Sequence, residues 1–206
     1  MATSEHHPND TEARIRESAL RLFASHGYEA TGIRDVARDA GLSLSTIYHY
    51  VGSKEDLLLA IATKAMEDLR AAGEEALAGA TTPAERLAAL VEAHVFVHGR
   101  DRLEAFVSDT ELRALSEPER KGAVKLRDRY EALWQQILDD GVAAGEFVAE
   151  DTRLVRLGLL QMCTGVAYWY SPAGDRSLEH IAKTFADLAL AMVNHPAQTT
   201  EEATDR

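Results

Sequence analysis

Residues Thr31 to Lys54, TGIRDVARDAGLSLSTIYHYVGSK, constrain this chain more than any other stretch, because they spell two short helices, a glycine turn between them and a third helix start. Ile33, Val36, Ala37 and Ala40 recur at i, i+3, i+4 and i+7, which is one buried stripe on a helix opening just after Thr31, a favoured N-cap. Gly41 breaks that helix and Ser43 caps the next, on which Ile47 turns inward while Leu44, Ser45, Thr46 and His49 turn outward. Such a pair lays its second helix in the DNA major groove with the N-terminal residues nearest the base edges.

The rest of the sequence predicts an all-α protein of about nine helices. A chain of 206 residues, rich in Ala, Leu and Glu with five prolines, suits that class, and no strand-like alternation competes with it. The expected organisation is a mobile tail over residues 1–10, a helix–turn–helix domain over 11–57, a second helical domain over 58–195 and a disordered tail over 196–206. The first helix is expected from about Asp10 to Ser25, and the fourth from Ser53 to about Leu77. Thr82-Pro83-Ala84-Glu85 opens the fifth with cap, N1 proline and capping-box glutamate. Asp101 opens a sixth, Ser116-Glu117-Pro118-Glu119 a seventh to about Asp140, Asp151 an eighth to about Tyr170 and Ser177 the ninth. Gly141 and Gly145 are expected to bracket a turn.

Charge divides by region. The whole chain carries a formal −12, but residues 11–54 hold six basic and five acidic side chains while residues 55–206 hold 16 and 27. An acidic body behind a near-neutral head argues against indiscriminate coating of nucleic acid or anionic membrane, and fits DNA contacts that are few and local. The lone Cys163 excludes an intramolecular disulfide, and with no signal peptide or apolar run of spanning length the expected setting is cytoplasmic, away from membranes.

The run TGIRDVARDAGLSLSTIYHYVGSKEDLL resembles the DNA-binding domain of the TetR family of transcriptional regulators, supplying Gly41, Leu42, Ser43, Ser45, Thr46, Ile47, Tyr48, Tyr50, Val51, Ser53, Lys54, Glu55 and Leu57 at the family's characteristic places. Ser45 stands where glycine is frequent and Gly52 where a larger residue is frequent. The resemblance implies a homodimer that reads a near-palindromic, double-stranded operator with one head per major groove. It places Ser45 and Thr46, with Leu44 and His49 beside them, near base edges. Tyr48 and Tyr50 fall at phosphate-contacting positions, Tyr50 having packing as its other reading, and Lys54 at a backbone clamp. Thr31 is expected to serve a phosphate or simply to cap its helix, and Arg34 to reach guanine or to stand solvated.

Residues Glu111 to about Ala182 look like the regulatory domain of the fatty-acid and sterol-degradation branch of that family, on Arg127-Asp128, Gly145 to Phe147 and Trp169-Tyr170-x-Pro172-x-Gly174. That implies a small hydrophobic effector of the acyl-CoA kind. Such a pocket needs an apolar tunnel and cations at its mouth, so Arg113 and Arg127 are candidates together with His94, His98, Tyr130, Trp134, Met162 and Trp169. Arg127 falls on the helical face of Val124, Tyr130 and Trp134, where its alternative is an ion pair with Glu104, Glu111 or Glu131. His94 and His98, four apart, face one way, but two ligands do not make a metal site, and no metal or cofactor is expected. Gly158, Gly165, Ile181, Phe185 and Leu188 are expected at a dimer interface formed by the last two helices.

No glycine-rich phosphate loop, nucleophile elbow or zincin helix is present, so an enzyme is not expected. The competing functions are a drug-efflux repressor answering a hydrophobic cation, and a metal sensor or small-molecule-binding protein whose head has lost its operator.

Overall fold

The computed structural model describes residues 8–194. The expected tail over 196–206 and most of that over 1–10 lie outside this range, but residues 8–10 already belong to the first helix. The described residues contain α-helices and one 3-10 turn and no strand: α1 (Pro8–His26), α2 (Ile33–Asp39), α3 (Leu44–Tyr50), α4 (Lys54–Leu77), α5 (Pro83–Arg100), α6 (Arg102–Thr110), a 3-10 turn (Leu112–Ala114), α7 (Glu117–Ala143), α8 (Thr152–Thr164), α9 (Val166–Trp169) and α10 (Leu178–Asn194). The expected eighth helix is divided in two. Gly165 ends α8 and starts α9.

These helices form two compact units, one of residues 8–68 and 101–128, the other of 69–100 and 129–194. In the first, α1 contributes Ile15, Ala19 and Phe23 to a core shared with Val36 and Ala37 of α2, Ile47 of α3 and Leu57, Leu58 and Ile61 of α4. Val107 of α6 and Leu115 after the 3-10 turn are part of the same core. Burying each such large side chain contributes about 1.5–3 kcal/mol, which short helices need because their own hydrogen bonds do not hold them. Ser116 donates its backbone N–H to the Glu55 carboxylate, and Arg16 pairs with Glu104 at 3.5 Å. Segment 101–128 thus packs with the N-terminal helices from which it is distant in sequence.

The second unit is built around α5 lying along α10. Its α5 opens as the sequence implies: the Glu85 carboxylate accepts from the backbone N–H of Thr81 and Thr82 at 2.9 and 3.1 Å, while Thr82 Oγ1 accepts from Glu85 N at 3.2 Å. Those donors hold the Glu85 carboxyl down at about 2. The start of α7 is different. There the Ser116 N–H is taken by Glu55 and not by Glu119. Asp151 caps α8 through Arg153 N and Leu154 N, and Ser177 Oγ accepts from His180 N on α10.

Gly141 lies inside α7 and not in a turn, because α7 continues to Ala143. The turn sits after it, at Gly145, whose φ of +74 favours glycine. What Gly141 supplies is space: a Cβ there would fall 2.0 Å from Phe147 Cδ2 and 2.3 Å from Cε2. Phe147 is buried and its ring is stiff, so the overlap cannot be relieved at a loose side-chain end. Gly141→Ala is expected to destabilise the fold by about 1–3 kcal/mol despite the better helix propensity of alanine. Urea titration followed by circular dichroism measures it, and a neutral or stabilising result contradicts so close an approach of Phe147 to the helix.

Candidate nucleic-acid interface and buried polar cluster

The turn between α2 and α3 is held from three sides. Gly41 takes φ +63, Arg14 donates to the Ala40 carbonyl at 2.6 Å, and Arg21 pairs with Asp39 at 2.7 Å. The Arg21 and Ser18 hydrogen bonds hold the Asp39 carboxyl below its usual range. Ser43 then caps α3: its Oγ accepts from Thr46 N at 3.1 Å and shares hydrogen bonds with Ser45 Oγ at 2.8 Å and Thr46 Oγ1 at 2.7 Å. Three hydroxyls therefore stand together at the helix start, already oriented. Ser45, Tyr48 and His49 are exposed, Leu44, Thr46 and Tyr50 half-buried, and Ile47 is fully buried beneath them. The His49 and Tyr50 rings meet edge to face at 5.4 Å. Arg34 is exposed on the first turn of α2.

One residue of this set, Thr31, occupies a different place from that expected. Thr31 is not the N-cap of α2, because Gly32 is, and the Asp35 carboxylate accepts from the Gly32 N–H at 3.0 Å. Thr31 is buried, its hydroxyl donates to the Gly27 carbonyl at 2.8 Å and its N–H to Tyr28 O at 3.2 Å, so both groups are engaged inside the turn. Lys54 Nζ donates to Tyr28 O at 2.8 Å and to Thr31 O at 3.0 Å, and lies 3.9 Å from the Tyr28 ring centroid. Burial, and after it Glu55, Glu29 and Asp56, push the Tyr28 phenol upward, so it stays neutral beneath the ammonium.

The second unit contains a buried polar cluster centred on α5. The His94 and His98 rings stack at 4.0 Å with planes 5° apart. His94 Nδ1 lies 3.1 Å from Tyr130 Oη and its Nε2 3.1 Å from Thr164 Oγ1, while Trp134 meets the ring edge to face at 5.5 Å. His98 Nδ1 is 3.0 Å from the His94 carbonyl, which only accepts, so His98 carries its proton on Nδ1. Tyr130, Trp134 and Cys163 are fully buried, and burial pushes the Tyr130 phenol up and the Cys163 thiol up to about 12. Burial, then the charge of His98, drives His94 well below its ordinary value. The buried Trp134 Nε1 has no hydrogen-bond partner of sound geometry, although it lies near enough to the Tyr130 oxygen to lower that phenol slightly.

Of the expected effector residues, His94, His98, Tyr130 and Trp134 come together. Thr164 and Cys163 join them, and the sequence offered no signal for Thr164, which is 70 residues from His94. Met162 is half-buried on α8 and Trp169 is exposed, its ring 6.3 Å from that of Phe185. Arg113 and Arg127 belong to the first unit and are exposed. Arg127 therefore does not lie buried on the aromatic stripe, because that face of α7 is covered at Tyr130 and Trp134 and open at Arg127. Of the expected dimer residues, Leu188 and Gly158 are exposed, Phe185 and Gly165 half-buried, and Ile181 buried within its own subunit. Around Gly158, Leu154, Leu157 and Met192 are also exposed, and a Cβ on Gly158 would meet Met192 Cε at 3.5 Å.

A capped two-helix head carried by an all-helical protein with a buried polar cluster defines a helix–turn–helix regulator. The model for bacterial regulatory proteins of the tetR family matches residues 15–61, and the model for the tetracyclin repressor-like C-terminal domain matches residues 80–193. The chain belongs to the TetR family of transcriptional regulators. It is 26% identical over 185 residues, 89% of this chain and 90% of its relative, to the HTH-type transcriptional repressor KstR2 of Mycolicibacterium smegmatis. It is 28% identical over 144 residues, 69% of this chain and 74% of its relative, to the fatty acid metabolism regulator protein of Bacillus subtilis. A solved bacterial regulatory protein of the tetR family from Rhodococcus RHA1 superposes with a TM-score of 0.84 at 30% identity, over 93% of this chain and 98% of the other. Among the described residues no helix is long and apolar enough to cross a membrane.

The cluster makes stability depend on pH. Folded His94 is held neutral while the unfolded chain protonates it below about 6.5, so its contribution is complete above that value and is lost as pH falls. The slope this one group adds is at most about 1.4 kcal/mol per pH unit. Stability measured between pH 7 and pH 5 is expected to fall less steeply in His94→Gln than in the unsubstituted protein. Parallel profiles contradict a neutral, buried His94.

Proposed function

We propose that the protein is a homodimeric, ligand-responsive repressor that holds a near-palindromic operator and releases it on binding a small hydrophobic, carbonyl-bearing effector, with an acyl-CoA thioester as the leading class. The observation that carries the operator half is the preorganised α3 start, where Ser43 fixes the hydroxyls of Ser45 and Thr46 beside exposed Tyr48 and His49. Small hydroxyl groups suit either base edges or phosphates, and Arg34 has the reach and donors to read guanine. Tyr50, half-buried against the core, meets the His49 ring edge to face at 5.4 Å at the margin of this surface.

The dimer half rests on exposed apolar side chains that one subunit leaves uncovered. Leu154 is 65% exposed, and Leu157, Leu188 and Met192 each lie more than two-fifths open around the side-chain-free Gly158. A second copy of the same α8 and α10 faces would bury them in a four-helix arrangement, with Phe185 and Gly165 at its margin.

For the effector, the cluster of His94, His98, Tyr130, Trp134, Thr164 and Cys163 offers hydrogen bonds and apolar surface but no carboxylate. A hydrophobic cation would need a counter-charge there, so the cluster favours a neutral carbonyl over a cationic drug. The unpartnered Trp134 N–H is a donor that a carbonyl oxygen would satisfy. The relatives named for repression and for fatty acid metabolism support the same reading.

Selection of duplexes from a random-sequence pool, followed by titration with effectors, tests the whole reading. The expected site is an inverted repeat, bound by a dimer and released by long-chain or ring-derived acyl-CoA at about micromolar levels, with free CoA and free acid weaker because each supplies part of the binding energy. Release by a hydrophobic cation alone would move the protein to the efflux type of repressor. Failure to select any site would leave a ligand-binding protein without operator function. Leu157→Glu with Leu188→Glu is expected to give monomers in sedimentation and to weaken operator binding more than tenfold, or about 1.4 kcal/mol. An intact dimer in that variant removes the α8 and α10 interface.

A further inference from the structure

We propose that Ser43 is a positioning residue for base readout: its hydroxyl joins those of Ser45 and Thr46 into one chain with a single outward proton, so the bases facing the two reading side chains are selected as a pair. The inference rests on the DNA-binding reading above and deepens it, because it states what the two hydroxyls can present together.

The count of protons and lone pairs carries it. A serine hydroxyl has one proton to donate and two lone pairs with which to accept. Ser43 Oγ accepts from Thr46 N at 3.1 Å, which fills one lone pair. Ser45 Oγ stands 2.8 Å from it and Thr46 Oγ1 2.7 Å. Hydroxyl oxygens at about that separation have a proton between them, since two bare oxygens would repel. With one lone pair left, Ser43 accepts from one of these neighbours and donates to the other. Its whole capacity is then used within the three residues.

Two directions of the chain satisfy that count. In one, Ser45 donates to Ser43 and Ser43 to Thr46, which leaves the Thr46 proton facing outward. In the other the direction is reversed and the outward proton belongs to Ser45. The reversal needs only rotation of the three hydroxyls. Either way, one reading hydroxyl can donate to the DNA and the other can only accept. In the major groove guanine and thymine present acceptors, cytosine a donor and adenine one of each. Acceptor edges opposite both hydroxyls therefore compete for one proton, while every other combination is satisfied in one of the two directions.

The backbone keeps the three residues in place. Ser43 O accepts from Ile47 N at 3.1 Å, and Leu42 N donates to Ala37 O at 2.9 Å, just before the cap. Ile47 is fully buried, whereas Ser45 is exposed and Thr46 half-buried. Ser45 stands where glycine is frequent in the family, so the chain of three hydroxyls comes from this sequence and not from the resemblance.

The test uses the full chain and duplexes selected from a random-sequence pool. The base pairs that each hydroxyl reads are those whose preference changes in Ser45→Ala and in Thr46→Val, and if neither variant changes a preference the proposal fails. Affinity is then measured for all combinations at those base pairs. In the unsubstituted protein, duplexes with acceptor edges at both are expected to bind about tenfold more weakly than the separate preferences multiply to. Ser43→Asp keeps a cap and draws both protons inward, so acceptor edges are expected to be disfavoured at each position independently. Ser43→Gly costs the cap little and releases both protons, so the double-acceptor duplexes are expected to recover. Independent preferences in the unsubstituted protein, or a coupling that survives Ser43→Gly, overturn the proposal, and the second result would leave Ser43 as a helix cap only. A further readout needs no DNA: three-bond scalar couplings are expected to show one χ1 rotamer each for Ser45 and Thr46, with Ser45 averaged in Ser43→Gly. If no duplex is selected, the operator reading fails, while averaging of Ser45 in the unsubstituted protein still overturns the hydroxyl chain and a single rotamer lost in Ser43→Gly still supports it.

Discussion

Seven residues make two turns of helix, and a helix of that length is unstable in water unless something else holds it. Both α2 and α3 are of this kind, so the direction of the reading surface is decided by the core beneath it and by the cations around it. Ile47 is the point of attachment: it is fully buried while its neighbours Tyr48 and His49 are exposed, so one side chain anchors α3 and two present it. Val36 does the same for α2. The remaining freedom, a rocking of each helix about its buried residue, is taken up by Arg14, Arg21 and Lys54, whose partners are backbone carbonyls and one carboxylate at the helix ends. Such bonds fix a helix end with little dependence on the side chains it carries, which leaves Ser45, Thr46 and Arg34 open to sequence change without loss of the fold.

The parts of this arrangement that repeat at helical spacing could be read from the sequence, and the parts that depend on long-range meetings could not. The stripe of Ile33, Val36, Ala37 and Ala40, the Ser43 cap, the Thr82 to Glu85 box and the Asp151 cap all use residues a few positions apart, and local rules reach that far. The inclusion of 101–128 with the N-terminal helices was not readable, because Val107, Leu115 and the bond from Ser116 to Glu55 join segments far apart along the chain. The same kind of distance hid Thr164 as a partner of His94. Arg127 shows the opposite hazard. Its position was inferred from spacing along one helix, but a stripe is buried only where another element covers it, and α7 is covered at Tyr130 and Trp134 and open at Arg127. The cap of α2 falls on Gly32, the residue after Thr31, while the Thr31 side chain is buried and turned back to the Gly27 carbonyl.

Glycine carries two unrelated duties in this chain, and sequence alone does not distinguish them. Gly27, Gly41 and Gly145 take positive φ at helix ends, where any side chain is strained. Gly99 and Gly141 sit in ordinary helix and are needed for what lies beside them: a Cβ on Gly99 would fall 2.2 Å from Leu178 Cδ1, and one on Gly141 would strike Phe147. The Gly99 contact sets how closely α5 approaches the start of α10, and α5 is the helix that carries His94 and His98. Close packing at one end of α5 thus bears on the placement of the polar cluster along it.

Taken as the effector site proposed above, the cluster would also set what kind of ligand it tolerates. Both ring nitrogens of His94 are engaged, by Tyr130 and by Thr164, and a neutral imidazole satisfies the pair in either tautomer, with one nitrogen donating and the other accepting. A pure hydrocarbon that displaced Tyr130 or Thr164 would leave a buried nitrogen or hydroxyl without a partner, a loss of about 1–3 kcal/mol that apolar contact must first offset. A ligand presenting a carbonyl or hydroxyl at that point replaces the lost bond and avoids the penalty. Discrimination of this sort comes from the protein's own unsatisfied groups and not from added attraction, so it persists however long the apolar remainder of the ligand is. On the proposed reading the response is conditional: a ligand shifts the protein only by the difference in its affinity for two arrangements, and the one with His94 bonded to Tyr130 and Thr164 is the arrangement it would displace.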